Sequence, residues 1–203
     1  MQSLIARHLR GCLVCFALSV AFEWSCERLA AQEEKASNVM QSSKRMPDGK
    51  QWTTQNLSAQ SVPSYCYADL EQNCRRYGRL YTWDSARRAC RSLGDGWRLP
   101  TDDEWRQLAK QYGGMHDDAA DGGKAAYLAL LIGGSSGFNA LLGGGRSRDG
   151  DYARQKAHGF YWTASECDSA FALFYNFGHG TMSLYRQTNG EKEQAFSVRC
   201  VRN

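Results

Sequence analysis

Cysteines constrain this 203-residue chain more than any other feature. Three of the eight fall in or beside an apolar N-terminal run, at Cys12, Cys15 and Cys26. The other five are spread over the remainder of the chain: Cys66, Cys74, Cys90, Cys167 and Cys200. In a protein that reaches an oxidising compartment, such cysteines are first interpreted as disulfide partners.

Spacing suggests how these cysteines pair. Cys66 and Cys74 are eight residues apart and could close a short loop. Cys90 and Cys200 could join a helix to the C-terminal strand, and closing so long a loop contributes roughly 4 kcal/mol in the chain-entropy model. Cys167 is then left over. Zinc is the competing interpretation, but the spacing matches no zinc template, so we predict no metal and no cofactor.

The N-terminus predicts export. Two arginines precede an apolar stretch over residues 11–22, which is the form of a secretory signal and is shorter than the roughly 20 residues that span a bilayer. We predict a signal peptide over residues 1–31, a polar linker over 32–46 and a domain over 47–203, at the cell surface, in the outer envelope or secreted. An uncut or acylated N-terminus, the latter at Cys26, would be the only membrane anchor.

Charge argues against nucleic acid as a partner. The formal net charge is only +4, and the basic residues are scattered instead of clustered on one segment. A nucleic-acid-binding surface needs a concentrated basic face. We therefore expect no nucleic-acid partner.

Hydrophobic periodicity predicts helices first and strands afterwards. Apolar residues recur at helical spacing over residues 83–93, and a second helix starts at Thr101, which forms a capping box with Glu104. A short third helix is expected over residues 125–132. Short strands separated by turn residues follow from residue 133 onward. This order predicts an α+β fold.

Six segments taken in order resemble a known bacterial family. They are DGKQWTTQNL, SYCYADLEQNCRRYGRLYTWDSARRAC, GWRLPTDDEWRQL, GFNALLGG, GFYWTASE and AFSVRCVRN. Together they resemble the Fibrobacter succinogenes major paralogous domain over residues 47–203. The resemblance implies a C-type-lectin-like fold, with two main helices packed on a twisted antiparallel sheet and long loops. It also implies that Cys90 pairs with Cys200.

The same fold group includes the formylglycine-generating enzymes, which resemble this chain at WRLPTDDEW. Their chemistry uses two closely spaced cysteines near the C-terminus, whereas here Cys167 and Cys200 are far apart in sequence. The histidines also lack the H-x-x-x-H spacing of an iron site. A nucleophile built from Cys167 with His158 or His179 stays formally open. We expect no enzymatic activity; a degenerate enzyme of this type is an alternative.

Acidic residues offer no clear calcium site. We assign Asp102, Asp103 and Glu104 to capping of the second helix. The loop over residues 116–123 (HDDAADGG) is only suggestive of calcium ligands. The E-P-N, Q-P-D and W-N-D motifs of calcium-dependent lectins do not occur in the sequence, so the resemblance carries no calcium-dependent sugar binding.

Aromatic and amide side chains in the C-terminal strands are the remaining functional signal. Such planar groups are typical of glycan and protein binding sites. We expect five to be exposed near the turn at residues 178–180 and to bind ligand: Asn176, His179, Tyr185, Arg186 and Gln187. The sequence thus predicts an exported, non-catalytic module that binds a polysaccharide or a cell-surface protein. A structural component of a cell-envelope assembly is the other alternative.

Overall fold

Helices precede most of the strands in the computed structural model, which describes residues 42–60 and 62–203. The predicted signal peptide, residues 1–31, lies outside these ranges, as does most of the predicted linker. The helices of the described residues are α1 Glu71–Tyr77, α2 Trp83–Arg91, α3 Asp102–Lys110 and α4 Lys124–Leu130. The two longest, α2 and α3, are the two helices that the sequence predicts most strongly.

The strands form three antiparallel groups. They are β1 Ser43–Arg45, β2 Gln51–Thr53, β3 Gly145–Arg146, β4 Tyr152–Ala153, β5 His158–Glu166, β6 Phe171–Gly178, β7 Ser183–Glu191 and β8 Val201–Arg202. The sheets have the strand orders β1-β2-β8, β3-β4 and β5-β6-β7. Helices together with antiparallel sheets confirm the α+β class.

The predicted capping box at the start of α3 is confirmed. The Thr101 hydroxyl accepts a hydrogen bond from the Glu104 amide at 3.3 Å, and the Glu104 carboxylate accepts one from the Thr101 amide at 2.9 Å. Each side chain thereby satisfies a backbone donor that a helix start leaves open.

Three segments differ from the prediction. The predicted linker ends in a strand, because Ser43–Arg45 pairs with β2. The loop between Cys66 and Arg79 contains the unpredicted helix α1. Residues 137–145 are largely irregular, since Asn139 and Gly144 both have positive φ, which interrupts an extended strand.

Both predicted disulfides are present. Cys66 is bonded to Cys74, and Cys90 is bonded to Cys200 across a sequence separation of 110 residues. The second bond joins α2 to the segment that enters β8. Cys167 is free and exposed.

The sheet β5-β6-β7 separates two hydrophobic cores. On one side, helices α3 and α4 pack against it, and the Trp105 ring stacks on Tyr175 with centroids 5.0 Å apart. On the other side, α2 packs against Trp162 and Phe174, together with Phe196 from the C-terminal segment. The α3 side of the sheet is therefore mostly covered, whereas the α2 side is covered only in part.

No helix among the described residues combines the length and apolar character that crossing a bilayer requires.

Candidate ligand-binding face

The uncovered part of the sheet carries a row of three side chains on three neighbouring strands. Phe160 on β5 pairs with Asn176 on β6, which pairs with Tyr185 on β7. His158 and Gln187 lie two positions along their strands from this row, so they point to the same side of the sheet. All five side chains are half-buried. We call these five residues the open face.

An imidazole and an amide hold each other on the open face. His158 Nδ1 and Asn176 Oδ1 are 2.9 Å apart, which is hydrogen-bonding distance. The His158 ring also stacks on Phe160, with centroids 5.5 Å apart and planes inclined by 12°. These contacts fix the orientation of the Asn176 amide group on the surface of the sheet.

The Tyr185 ring lies beside Gly178 at the end of β6. A β-carbon on Gly178 would lie 3.4 Å from Tyr185 Cε2, which is an ordinary van der Waals contact. The ring is also stacked on His116, with centroids 4.5 Å apart, so the loop after α3 contributes to this face.

The structure brings three of the five predicted residues together and separates the other two. Asn176, Tyr185 and Gln187 belong to the open face, but they are half-buried instead of exposed. Arg186 points to the opposite side of the sheet, because successive side chains alternate along a strand. His179 lies in the turn after β6, where it is exposed and its Nδ1 is 3.4 Å from the Tyr127 hydroxyl.

Arg186 is engaged by an ion pair that the sequence did not reveal. Its Nε donates to both carboxylate oxygens of Asp102, at 2.8 and 2.9 Å. Asp102 also accepts a hydrogen bond from the Tyr175 hydroxyl at 3.0 Å. Our assignment of Asp102 to helix capping alone is therefore wrong: its carboxylate joins the start of α3 to β6 and β7.

Sequence reasoning did not assign three residues of this region to a binding surface: His116, His158 and Phe160. A signal for the last two exists, because they alternate on one side of the predicted strand HGFYWTAS. The adjacent Tyr161 and Trp162 in that strand are both fully buried. His116 gives no such signal, since only the folded loop brings it to Tyr185.

The free thiol is not activated. Burial raises the pKa of Cys167, and the neighbouring Asp168 carboxylate adds to the effect. The thiol donates a hydrogen bond to the Thr188 carbonyl at 3.0 Å. Cys200 is bonded to Cys90 and cannot work with Cys167 as a thiol pair. A raised pKa leaves little thiolate at neutral pH, and the thiolate is the nucleophilic form.

Acidic and sulfur groups do not converge on a metal site in the described residues. Cys66, Glu71 and Cys74 have ligand-like spacing, but both sulfurs belong to a disulfide. In the loop suggested for calcium, Asp118 pairs with Arg106 at 3.5 Å. Asp121 accepts hydrogen bonds from backbone amides at the start of α4. The carboxylates of Asp118 and Asp121 therefore have different partners within the protein.

Comparison with models of known families identifies the family of this chain. Residues 36–202 match the Fibrobacter succinogenes major domain, and the chain belongs to this family. The match includes the whole open face and both disulfides. No curated protein matches the chain.

Proposed function

We propose that this chain is an exported, non-catalytic module that binds a glycan through the open face. The observation that carries the proposal is the row Phe160–Asn176–Tyr185, which places an amide between two aromatic rings on adjacent strands. Aromatic rings offer flat apolar surface to the C–H face of a sugar, and an amide both donates and accepts hydrogen bonds.

Preorganisation supports this proposal. The stacking of His158 on Phe160 and of His116 on Tyr185 holds the rings in place. The position of the face on strands, instead of on a loop, adds rigidity. Side chains that are already ordered lose less entropy when a ligand binds.

We also propose that the fold is C-type-lectin-like. Its support is that α2 and α3 pack on opposite sides of the sheet β5-β6-β7, and that Cys90–Cys200 joins α2 to the C-terminal segment. Export is supported by the two disulfides, which are characteristic of oxidising compartments.

The test is retention of the purified chain on a panel of insoluble polysaccharides, with and without EDTA. We expect selective retention that EDTA does not change and that Tyr185→Ala and Asn176→Ala reduce at least tenfold. Tyr112→Ala is the matched control, because Tyr112 is a half-buried tyrosine that packs against the core on the other side of the sheet.

Three outcomes would count against the proposal. Retention that EDTA abolishes would show metal-dependent binding. Equal losses with Tyr185→Ala and Tyr112→Ala would place the ligand elsewhere. Absence of retention on every polysaccharide, together with a stable complex with envelope proteins, would favour a cell-surface protein partner or a structural role in an envelope assembly.

A further inference from the structure

A second concave surface lies between the segment after β2, helix α1 and the loop after α4. Its volume is about 440 Å³. It is lined by Thr54, Gln55, Asn56, Ser58, Arg75, Arg76, Gly78, Ile132, Asn139 and Leu141. None of these residues belongs to the open face. We call this surface the arginine cleft.

The charged side chains that line the arginine cleft are all positive. Arg75 and Arg76 are exposed on α1, and within residues 42–60 and 62–203 neither has an acidic partner within ion-pair distance. The lining includes no carboxylate. The other large cleft, of about 580 Å³ beside α3, is different, since Arg106 there pairs with Asp118 at 3.5 Å. Of these two clefts in the described residues, the arginine cleft is the one whose lining has positive side chains and no carboxylate.

A third cation lies directly beneath this cleft. Arg199 is fully buried, and its Nε donates to the side-chain oxygen of Asn56 at 2.9 Å. Another guanidinium nitrogen donates to the Asn139 carbonyl at 2.6 Å. Both acceptor residues line the cleft. An arginine keeps its charge even when it is buried, so its field reaches the cleft without an acidic group to cancel it.

The shape of the cleft depends on a glycine at the end of α1. Gly78 has φ +78°, and a β-carbon there would lie 2.6 Å from Asn56 Cβ. Helix α1 therefore ends in direct contact with the segment after β2. The Cys66–Cys74 disulfide joins the middle of α1 to the segment that precedes it, next to Arg75 and Arg76.

Polar and apolar groups in the cleft match the parts of an acidic sugar. Two guanidinium groups can hold a carboxylate through paired hydrogen bonds. Thr54 and Ser58 also line the cleft, and their hydroxyl groups are of the kind that bonds to sugar hydroxyls. Ile132 and Leu141 supply an apolar wall, and Ile132 is 60% exposed.

We propose that the arginine cleft binds a carboxylate-bearing sugar of the uronic-acid type. This site adds to the glycan recognition proposed above, but it rests on the charges of the cleft and not on the open face. The carboxylate is held by the arginines that line the cleft, Arg75 and Arg76, and the sugar ring lies against the apolar wall.

The experiment measures the affinity of the full chain for a galacturonic-acid oligosaccharide and for the methyl ester of the same oligosaccharide. Esterification removes the negative charge and adds a methyl group, while the sugar ring and its hydroxyl groups stay unchanged. We expect the ester to bind at least tenfold more weakly than the acid. The variant Arg75→Gln/Arg76→Gln is expected to lose a similar factor, with an unchanged circular dichroism spectrum because both arginines are exposed.

Two control variants locate the site. Arg87→Gln/Arg88→Gln removes the same charge from the neighbouring helix α2 and should leave the affinity within twofold. Tyr185→Ala should also leave it unchanged, because Tyr185 lies on the open face.

Several results would overturn the inference. They are absence of binding by the acid, equal losses in the two double-arginine variants, and equal affinity for sulfated dextran, which would show simple attraction to polyanions. Loss of binding only with Tyr185→Ala would place the acid on the open face, which would support the proposed function while refuting this second site.

Discussion

Arg199 and Arg186 are both held by hydrogen bonds, but they differ in burial and in the charge of their acceptors. Arg199 is fully buried and donates to neutral acceptors only, namely the Asn56 side chain and the backbone carbonyls of Thr53, Phe138 and Asn139. Arg186 keeps about a third of its side chain exposed and donates to a carboxylate, that of Asp102.

The difference shows what each arginine does for the fold. The acceptors of Arg199 come from two distant segments, which it ties to the C-terminal end of the chain. Neutral acceptors keep their bonds at any pH at which the chain is folded. Arg186 joins one helix start to one strand, and its ion pair is weakened by salt. We therefore expect a graded set of stability losses between these two extremes.

The largest loss is expected at Arg199. Arg199→Met leaves several buried carbonyls without donors, and each such group costs about 1–3 kcal/mol. We expect the free energy of unfolding to fall by at least about 3 kcal/mol, measured by urea denaturation. Arg202→Met is the control, because Arg202 is half-buried and donates to the Gln51 side chain near the surface. Equal losses in the two variants would refute the role assigned to Arg199.

The second-largest loss in the free energy of unfolding is expected at Glu104. Burial would raise the pKa of its carboxyl, but hydrogen bonds from Arg98, the Thr101 amide and Lys50 lower it from 4.5 to about 2. The carboxyl therefore stabilises the folded state above pH 4.5, and this contribution is lost as the pH falls toward 2. Glu104→Gln should lower the stability at pH 7 by about 2–3 kcal/mol and flatten this acid dependence.

Stability measured from pH 7 to pH 2 checks the Glu104 prediction. Glu193→Gln, at an exposed position, is the control and should keep the acid dependence of the unchanged chain. The prediction would be contradicted if the stability of the Glu104→Gln variant fell with pH as steeply as that of the Glu193→Gln control.

A smaller loss is expected at the Arg186 ion pair. Asp102→Asn removes the charge that faces Arg186 but keeps an acceptor for the Tyr175 hydroxyl, so we expect about 1–2 kcal/mol. Asp103→Asn is closely matched, because Asp103 is exposed in the same first turn of α3. Thermal unfolding at low and high salt should show a difference between the two variants that salt reduces. A difference of zero at low salt would mean that the pair contributes nothing.

The smallest effect is expected at Cys167, which adjoins the Arg186 pair but is exposed. Cys167→Ser should change the free energy of unfolding by less than about 0.5 kcal/mol. Because the pKa of Cys167 is raised, its reaction with a thiol reagent at pH 7 should be slower than that of a free cysteine peptide. Rapid labelling at pH 7 would show an activated thiol and would reopen the enzymatic alternative.

Local patterns were enough to predict part of this structure. The capping box at Thr101 depends on residues three apart, and the helix over residues 83–93 depends on spacing within one segment. Both are visible in sequence. The pairing of Cys90 with Cys200 was also predicted, because the family resemblance implies it.

Other features depend on contacts between distant segments and carry no local pattern. Asp102 meets Arg186 across 84 positions of sequence, so its first-turn location suggested only helix capping. Arg199 follows a strand-like stretch and resembles an ordinary surface arginine. The open face was predicted in part. Asn176, Tyr185 and Gln187 were among the predicted residues, but the sequence does not show which side of the sheet α2 leaves uncovered.

The Cys90–Cys200 bond also determines how far the domain can extend under tension. The bond closes a loop between positions separated by 110 in sequence, and this loop cannot lengthen while the bond is intact. At about 3.4 Å per residue, this withholds roughly 370 Å of contour length. A force applied between residues 42 and 203 would therefore stretch only the segments outside the loop in the oxidised protein. Reduction of the Cys90–Cys200 bond would add the length of this loop to the distance over which the domain can be extended.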